Sequence, residues 1–167
     1  MAIDTLQRLF VFIGLVLAQA LVLNRIQLFN CATPLLFVYF VIIFPRNYPR
    51  WASLLWSFFL GLSVDMFSNT PGVATTSLTL IGFLQPFLLE LFLPREPEEN
   101  IRASASTLGF WRFTGLTAIL LTIFCLLFFA LELFSISGWL YWLQCAGASL
   151  LFTFILIMAV ESLRGEW

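Results

Sequence analysis

Apolar residues run through the chain in long stretches, broken by short polar punctuation at Arg25, 45–50, 68–72, 94–102 and 135–138. Five breaks predict six segments, spanning 7–27, 33–46, 50–67, 71–93, 110–133 and 138–162. A hydrocarbon core of about 30 Å takes about 20 helical residues at about 1.5 Å each. The second segment falls short of that, and is expected to tilt, to sit in thinned bilayer or to re-enter. Its ends are nonetheless marked: Thr33 and Pro34 suit a cap and a first helical turn, and Pro45 cannot continue a helix inward. In the first segment, Ala18-Gln19-Ala20 resembles a signal-peptidase site. The apolar run continues past it through Leu21-Val22-Leu23, so an uncleaved anchor is expected.

Composition turns this pattern into a class. Of 167 residues, 61% are hydrophobic and 10% charged, against roughly 25% charged in an ordinary soluble domain. A globule of this size could not hide that much apolar surface from water, so lipid must solvate the excess. No stretch is long enough for a separate soluble domain, and residues 1–167 read as a single all-α integral membrane domain of about six transmembrane helices, the second of them short. Cys31, Cys125 and Cys145 lie in or beside apolar runs without the spacing of a metal site, and read as packing residues.

The net charge of −1 hides an asymmetry among eight arginines. Alternating segments put Arg8, Arg46, Arg50, Arg95, Arg102, Arg112 and Arg164 on one side and Arg25 alone on the other. The positive-inside rule then predicts six spans with both termini cytoplasmic. Dropping the second segment would scatter the arginines over both faces. Trp51, Trp56, Trp111, Trp139, Tyr141 and Trp142 fall near segment ends, where amphipathic rings favour the headgroup level. The 20 phenylalanines are expected mainly to face lipid.

The candidate chemistry is sparse. The chain has no histidine, which removes the usual general base and the Ser-His and Cys-His nucleophile pairs. Its glycines are dispersed, with no phosphate-cradling motif. Neither cofactor nor metal is expected, nor is nucleic acid as a partner. The mixed-sign run Arg95-Glu96-Pro97-Glu98-Glu99 reads as a polar loop rather than a lipid-binding basic patch. Glu90, Glu132 and Glu161 read as solvated helix ends within snorkelling reach of water.

The most informative stretch is the turn from Gly61 through Asp65 to Pro71 and Gly72. A carboxylate near hydrocarbon needs partners, and three readings stand for Asp65: it binds turn amides or the next helix N-terminus, it relays a proton or ligand, or it docks a partner. The first requires nothing beyond the local sequence, with Thr70 as N-cap and Pro71 as first helical residue completing the turn. Downstream, Thr75, Thr79, Gly82 and Pro86 recur at helical spacing, giving a face of small and weakly polar groups suited to internal packing or to a partner groove. Gly14 with Ala18, and Cys145 with Ser149, repeat that spacing on the first and last segments.

This turn resembles the signature of the rod shape-determining protein MreD family, small inner-membrane proteins with a Gly-x-x-x-Asp helix end before a Pro/Gly turn. Gly61, Asp65, Pro71 and Gly72 match it. The Bacteroidetes version looks closer still, through Thr33-Pro34, Pro45, the run Asp65-Met66-Phe67-Ser68-Asn69-Thr70-Pro71-Gly72, Pro86 and Pro94-Arg95. The resemblance covers most of the chain and thins after Arg102. Relatives of this type often carry a basic residue before the proline matching Pro86, where this chain has Gln85. The resemblance implies a non-catalytic component of the cell-elongation complex in the bacterial inner membrane. It would bind the MreC scaffold and help couple MreB filaments to peptidoglycan synthesis by RodA and its partner transpeptidase.

Two other classes compete. Six short helices with small-residue faces also suit the substrate-binding membrane subunit of a vitamin-type transporter, for which Asp65, Glu132, Gln144 and the threonine face would have to form an outward pocket. A lipid-processing enzyme or flippase would need an intramembrane acid, base or cationic clamp, and Arg25 is the lone outward arginine.

Overall fold

The computed structural model describes residues 2–26, 33–93, 103–132 and 138–164. It is an all-α bundle of the membrane-spanning type. Five helices are long and apolar enough to cross a bilayer: α1 (Ala2–Leu21), which a 3₁₀ turn extends to Arg25; α3 (Arg50–Ser68); α4 (Val73–Phe92); α6 (Phe110–Glu132); and α7 (Trp139–Arg164). Two short helices complete the described chain, α2 (Val38–Ile42) and α5 (Ala105–Leu108).

The second segment departs most from expectation. Only five of its residues are helical, and each of them, from Val38 to Ile42, is buried. Thr33 and Pro34 do not begin that helix; they belong to a non-helical entry. Backbone that is not helical survives at membrane depth only inside protein, because lipid offers no hydrogen bonds. Here α7 and α1 supply them. The amides of Thr33 and Leu35 donate to the Ser149 and Thr153 hydroxyls, at 3.1 and 3.0 Å. The Pro34 carbonyl accepts from Gln19 Nε2 at 2.9 Å. At the exit, Gln85 Nε2 on α4 donates to the carbonyls of Ile42 and Phe44 at 3.2 and 3.1 Å. These are among the carbonyls that a helix end leaves without intrahelical partners.

This segment also traverses the bundle. Arg8, near the start of α1, lies over the rings of Tyr48 and Phe44 at 4.3 and 5.6 Å, just before α3 begins. Beyond the far end of α1, Asn24 donates to Ser68 at the end of α3, at 2.7 Å. The helices α1 and α3 therefore run parallel, and the described stretch 33–44 runs inside the bundle from the middle of α7 toward the start of α3. One end carries Arg8, Arg46, Arg50, Arg112 and Arg164 and is called the arginine end; the other carries the α3–α4 turn, Arg25 and Glu132 and is called the turn end.

The core assembles around α2. Phe37, Phe40, Phe113 and Phe124 are fully or almost fully buried, so these phenylalanines are core rather than lipid-facing. Phe37 meets Phe124 edge to face at 5.7 Å, the arrangement that the ring quadrupole favours. Outward, Trp51, Trp111 and Trp139 are exposed at helix starts. Cys125 is a buried free thiol, whereas Cys145 is disulfide-bonded rather than a mere packing residue; Cys31 lies outside the described residues.

Candidate functional site

The turn read from the sequence is a buried, charge-capped helical hairpin. Asp65 is 5% exposed, on the last turn of α3. Its Oδ1 accepts from the Thr70 hydroxyl at 3.0 Å and the Ala74 amide at 2.9 Å. Its Oδ2 accepts from the Thr75 amide at 2.9 Å and the Thr75 hydroxyl at 2.6 Å. Charge-assisted bonds of this kind are roughly twice as strong as neutral ones, and the positive end of the α4 dipole adds to them. The carboxylate is thus an N-cap delivered from the preceding helix.

This arrangement moves the helix start. Thr70 and Pro71 are neither N-cap and first helical residue: α4 begins at Val73, and Gly72 is its N-cap, at φ +81°. A glycine tolerates that left-handed conformation because it has no Cβ. Asn69 closes α3 in the same region, at φ 56°, where asparagine is the usual non-glycine occupant.

Gly61 and Gly82 bring α3 and α4 together. A Cβ on Gly61 would stand 2.5 Å from Thr75 Cα and 2.8 Å from the Ala74 carbonyl oxygen. A Cβ on Gly82 would collide with the Ser57 hydroxyl. Thr75 is buried in this interface, while Thr79 is half-buried and returns its hydroxyl to the Thr75 carbonyl at 2.7 Å. Pro86 is half-buried within α4, where it withholds one amide. The face predicted from spacing is therefore divided. Gly82 packs internally, whereas Thr75, Thr76 and Thr79 border an apolar groove of about 550 Å³ with Leu54, Phe58, Leu80 and Phe83.

A second buried carboxylate lay hidden in the sequence. Glu161, expected to be a solvated helix end, is 2% exposed. Its Oε1 accepts from the Ser104 hydroxyl and, at 2.8 Å, from the Ala105 amide, capping α5 from a distant helix. Its Oε2 accepts from the Tyr39 hydroxyl, which also accepts from Arg164 at 3.3 Å. Glu90 and Glu132 are exposed, as expected of helix ends. Asp65 thus accepts four hydrogen bonds and Glu161 three. Among the described residues no three His, Cys, Asp or Glu side chains converge on a metal-sized site.

Polar side chains from several elements do converge at the turn end, around a cavity of about 400 Å³. Its wall includes Gln19, Asn24, Arg25, Thr33, Ser68, Thr70 and Glu132, over apolar Leu35, Phe37, Val64 and Phe128. Of the four groups that an outward pocket would have needed, Glu132 contributes; Asp65 faces the α4 terminus instead, and Gln144 is exposed elsewhere on α7. Comparison with protein-family models, curated proteins and solved structures finds no match to this chain.

Proposed function

We propose that this chain is a non-catalytic subunit of the bacterial cell-elongation machinery, a MreD-type protein of the inner membrane. In this reading it seats the MreC scaffold and helps couple cytoplasmic MreB filaments to peptidoglycan synthesis by RodA and its partner transpeptidase. The observation that carries the reading is the α3–α4 hairpin. Gly61, Asp65 and Gly72, three of the four residues of the resemblance, each have a specific job in one rigid unit, as close-approach point, trans cap and turn residue; Pro71 stands in the same turn.

A hairpin whose buried carboxylate already accepts four hydrogen bonds suits a docking platform better than a reaction centre. The groove beside Thr79 and Leu80 is wide and apolar, which fits the single membrane span of a scaffold partner, since association in lipid relies on packing against such surfaces. The positive-inside rule assigns the arginine end to the cytoplasm, where MreB would be met.

The test is a mild-detergent pull-down of the tagged protein from its native membrane, with mass spectrometry of what accompanies it. Recovery of MreC or RodA is the expected result, and Leu80→Trp, which fills the groove, should lower MreC recovery several-fold. Recovery of ATPase subunits without any wall-synthesis partner would replace this reading with the transporter one.

A further inference from the structure

The cavity at the turn end has a composition that packing does not explain. The short α2 occupies the half of the bundle toward the arginine end, since Leu35, three residues before it, already bonds to Thr153 midway along α7. The cavity lies in the other half, between the ends of α1, α3 and α6.

One wall group, Gln19, has unmet bonding capacity among the described residues, and Arg25, Glu132 and Ser68 add two charges and a hydroxyl. Gln19 is 1% exposed, and its Nε2 is committed to Asn24 and Pro34, so the amide orientation is fixed. Its Oε1 is left buried without a donor. Native proteins rarely leave such an atom unanswered, and each case asks for a water or a ligand. Arg25 and Glu132 bring opposite charges to the same wall, both on exposed side chains. Ser68, which accepts from Asn24, retains its own hydroxyl proton to give. At about 400 Å³ the space falls within the roughly 300–1,000 Å³ of small-molecule sites.

We propose that this cavity binds a small zwitterion, its phosphate or carboxylate on the Arg25 guanidinium, its ammonium on the Glu132 carboxylate, and a donor satisfying the wall at Gln19. One ligand with two charges uses both charged side chains at once. An anion alone would engage only Arg25, and a cation alone only Glu132. The same chemistry is offered by a phosphoethanolamine lipid headgroup and by a free zwitterion from the aqueous side. The assignment is independent of the partner reading above.

The experiment uses the full chain in nanodiscs of phosphatidylglycerol alone or with phosphatidylethanolamine, read by native mass spectrometry for retained lipid. Glycerophosphoethanolamine and L-alanine are titrated separately into the phosphatidylglycerol discs, with glycerophosphoglycerol as the control lacking an ammonium. At least one zwitterionic probe should bind tenfold or more in preference to its glycerol counterpart. Arg25→Gln and Glu132→Gln should each remove that preference, while Glu90→Gln, at the arginine end, should leave it intact. Preference for phosphatidylethanolamine alone identifies a lipid headgroup; binding of a soluble probe identifies an aqueous ligand. Equal retention of all probes by the unaltered protein overturns the proposal, as does preference that persists in both cavity variants. The comparison of probes on the unaltered protein stands even if a variant fails to fold.

Discussion

Asp65 and Glu161 are both buried carboxylates that cap a helix from another element, but their donors differ in a way that predicts opposite tolerance of amides. Each oxygen of Asp65 meets a backbone amide, Ala74 on one and Thr75 on the other. Whichever position the NH₂ of an asparagine took, it would face a donor that cannot reverse. Glu161 meets a backbone amide on Oε1 only, and its Oε2 meets the Tyr39 hydroxyl, which can turn and accept. Asp65→Asn is therefore expected to cost about 2–3 kcal/mol, and Glu161→Gln less than about 1 kcal/mol, from the usual worth of charged hydrogen bonds and of unsatisfied groups. Reversible unfolding in bicelles compares them, and equal losses would show that charge rather than donor geometry governs both sites. Asp65→Ala and Glu161→Ala should both be destabilising, since each strands its donors. Gly61→Ala makes a steric counterpart: its Cβ would press on Thr75 Cα, for an expected cost of about 1–3 kcal/mol. Gly147→Ala, whose Cβ would meet nothing within 4 Å, is the silent control in the same assay.

Residues of this kind were legible in the sequence only when their partners were close. Asp65 reaches donors 5 to 10 positions away, across a turn that Pro71 and Gly72 announce. Glu161 reaches Ser104 across 57 positions, and no local pattern separates it from a snorkelling helix end. Gln19 was invisible for the same reason, because its role is set by Pro34 and by a cavity that exists only once four elements meet.

At the scale of elements, the long helices were legible from apolar length, and the short second segment was legible as an anomaly but not as a structure. Its backbone is satisfied by side chains on three other helices, and hydroxyls on an apolar helix do not advertise what they will bond. Gln85 shows how much this matters. It stands where the resemblance suggests a basic residue, and its amide answers two carbonyls at the exit of α2. Gln85→Leu keeps the volume and removes the donor, leaving those carbonyls unanswered inside the bundle, for an expected cost of about 1–3 kcal/mol. Hydrogen exchange should then rise in the stretch from Val38 to Tyr48 before it rises in α6. A uniform rise across all helices would mean that α2 is not a separately held element.

For the whole molecule, the decisive feature is that the chain returns through the interior between α1 and α3. Because Arg8 meets Tyr48 and Asn24 meets Ser68, α1 and α3 both start at the arginine end, and Arg164 on the last turn of α7 lies beside Tyr39 of α2. A chain that did not cross there would put the starts of α1 and α3 at opposite ends, and the arginines with them. The charge asymmetry predicts a side for that geometry: moving the arginine end across the membrane would oppose the bias that Lys and Arg impose on insertion. Two exposed tryptophans report on it. Trp111, 83% exposed, stands at the arginine end, and Trp139, 72% exposed, begins α7 at the turn end. In intact cells a membrane-impermeant maleimide should label Trp139→Cys and spare Trp111→Cys, with both labelled after lysis. The reverse pattern would invert the orientation, and labelling of both in intact cells would mean that the starts of α6 and α7 do not lie on opposite sides of the membrane.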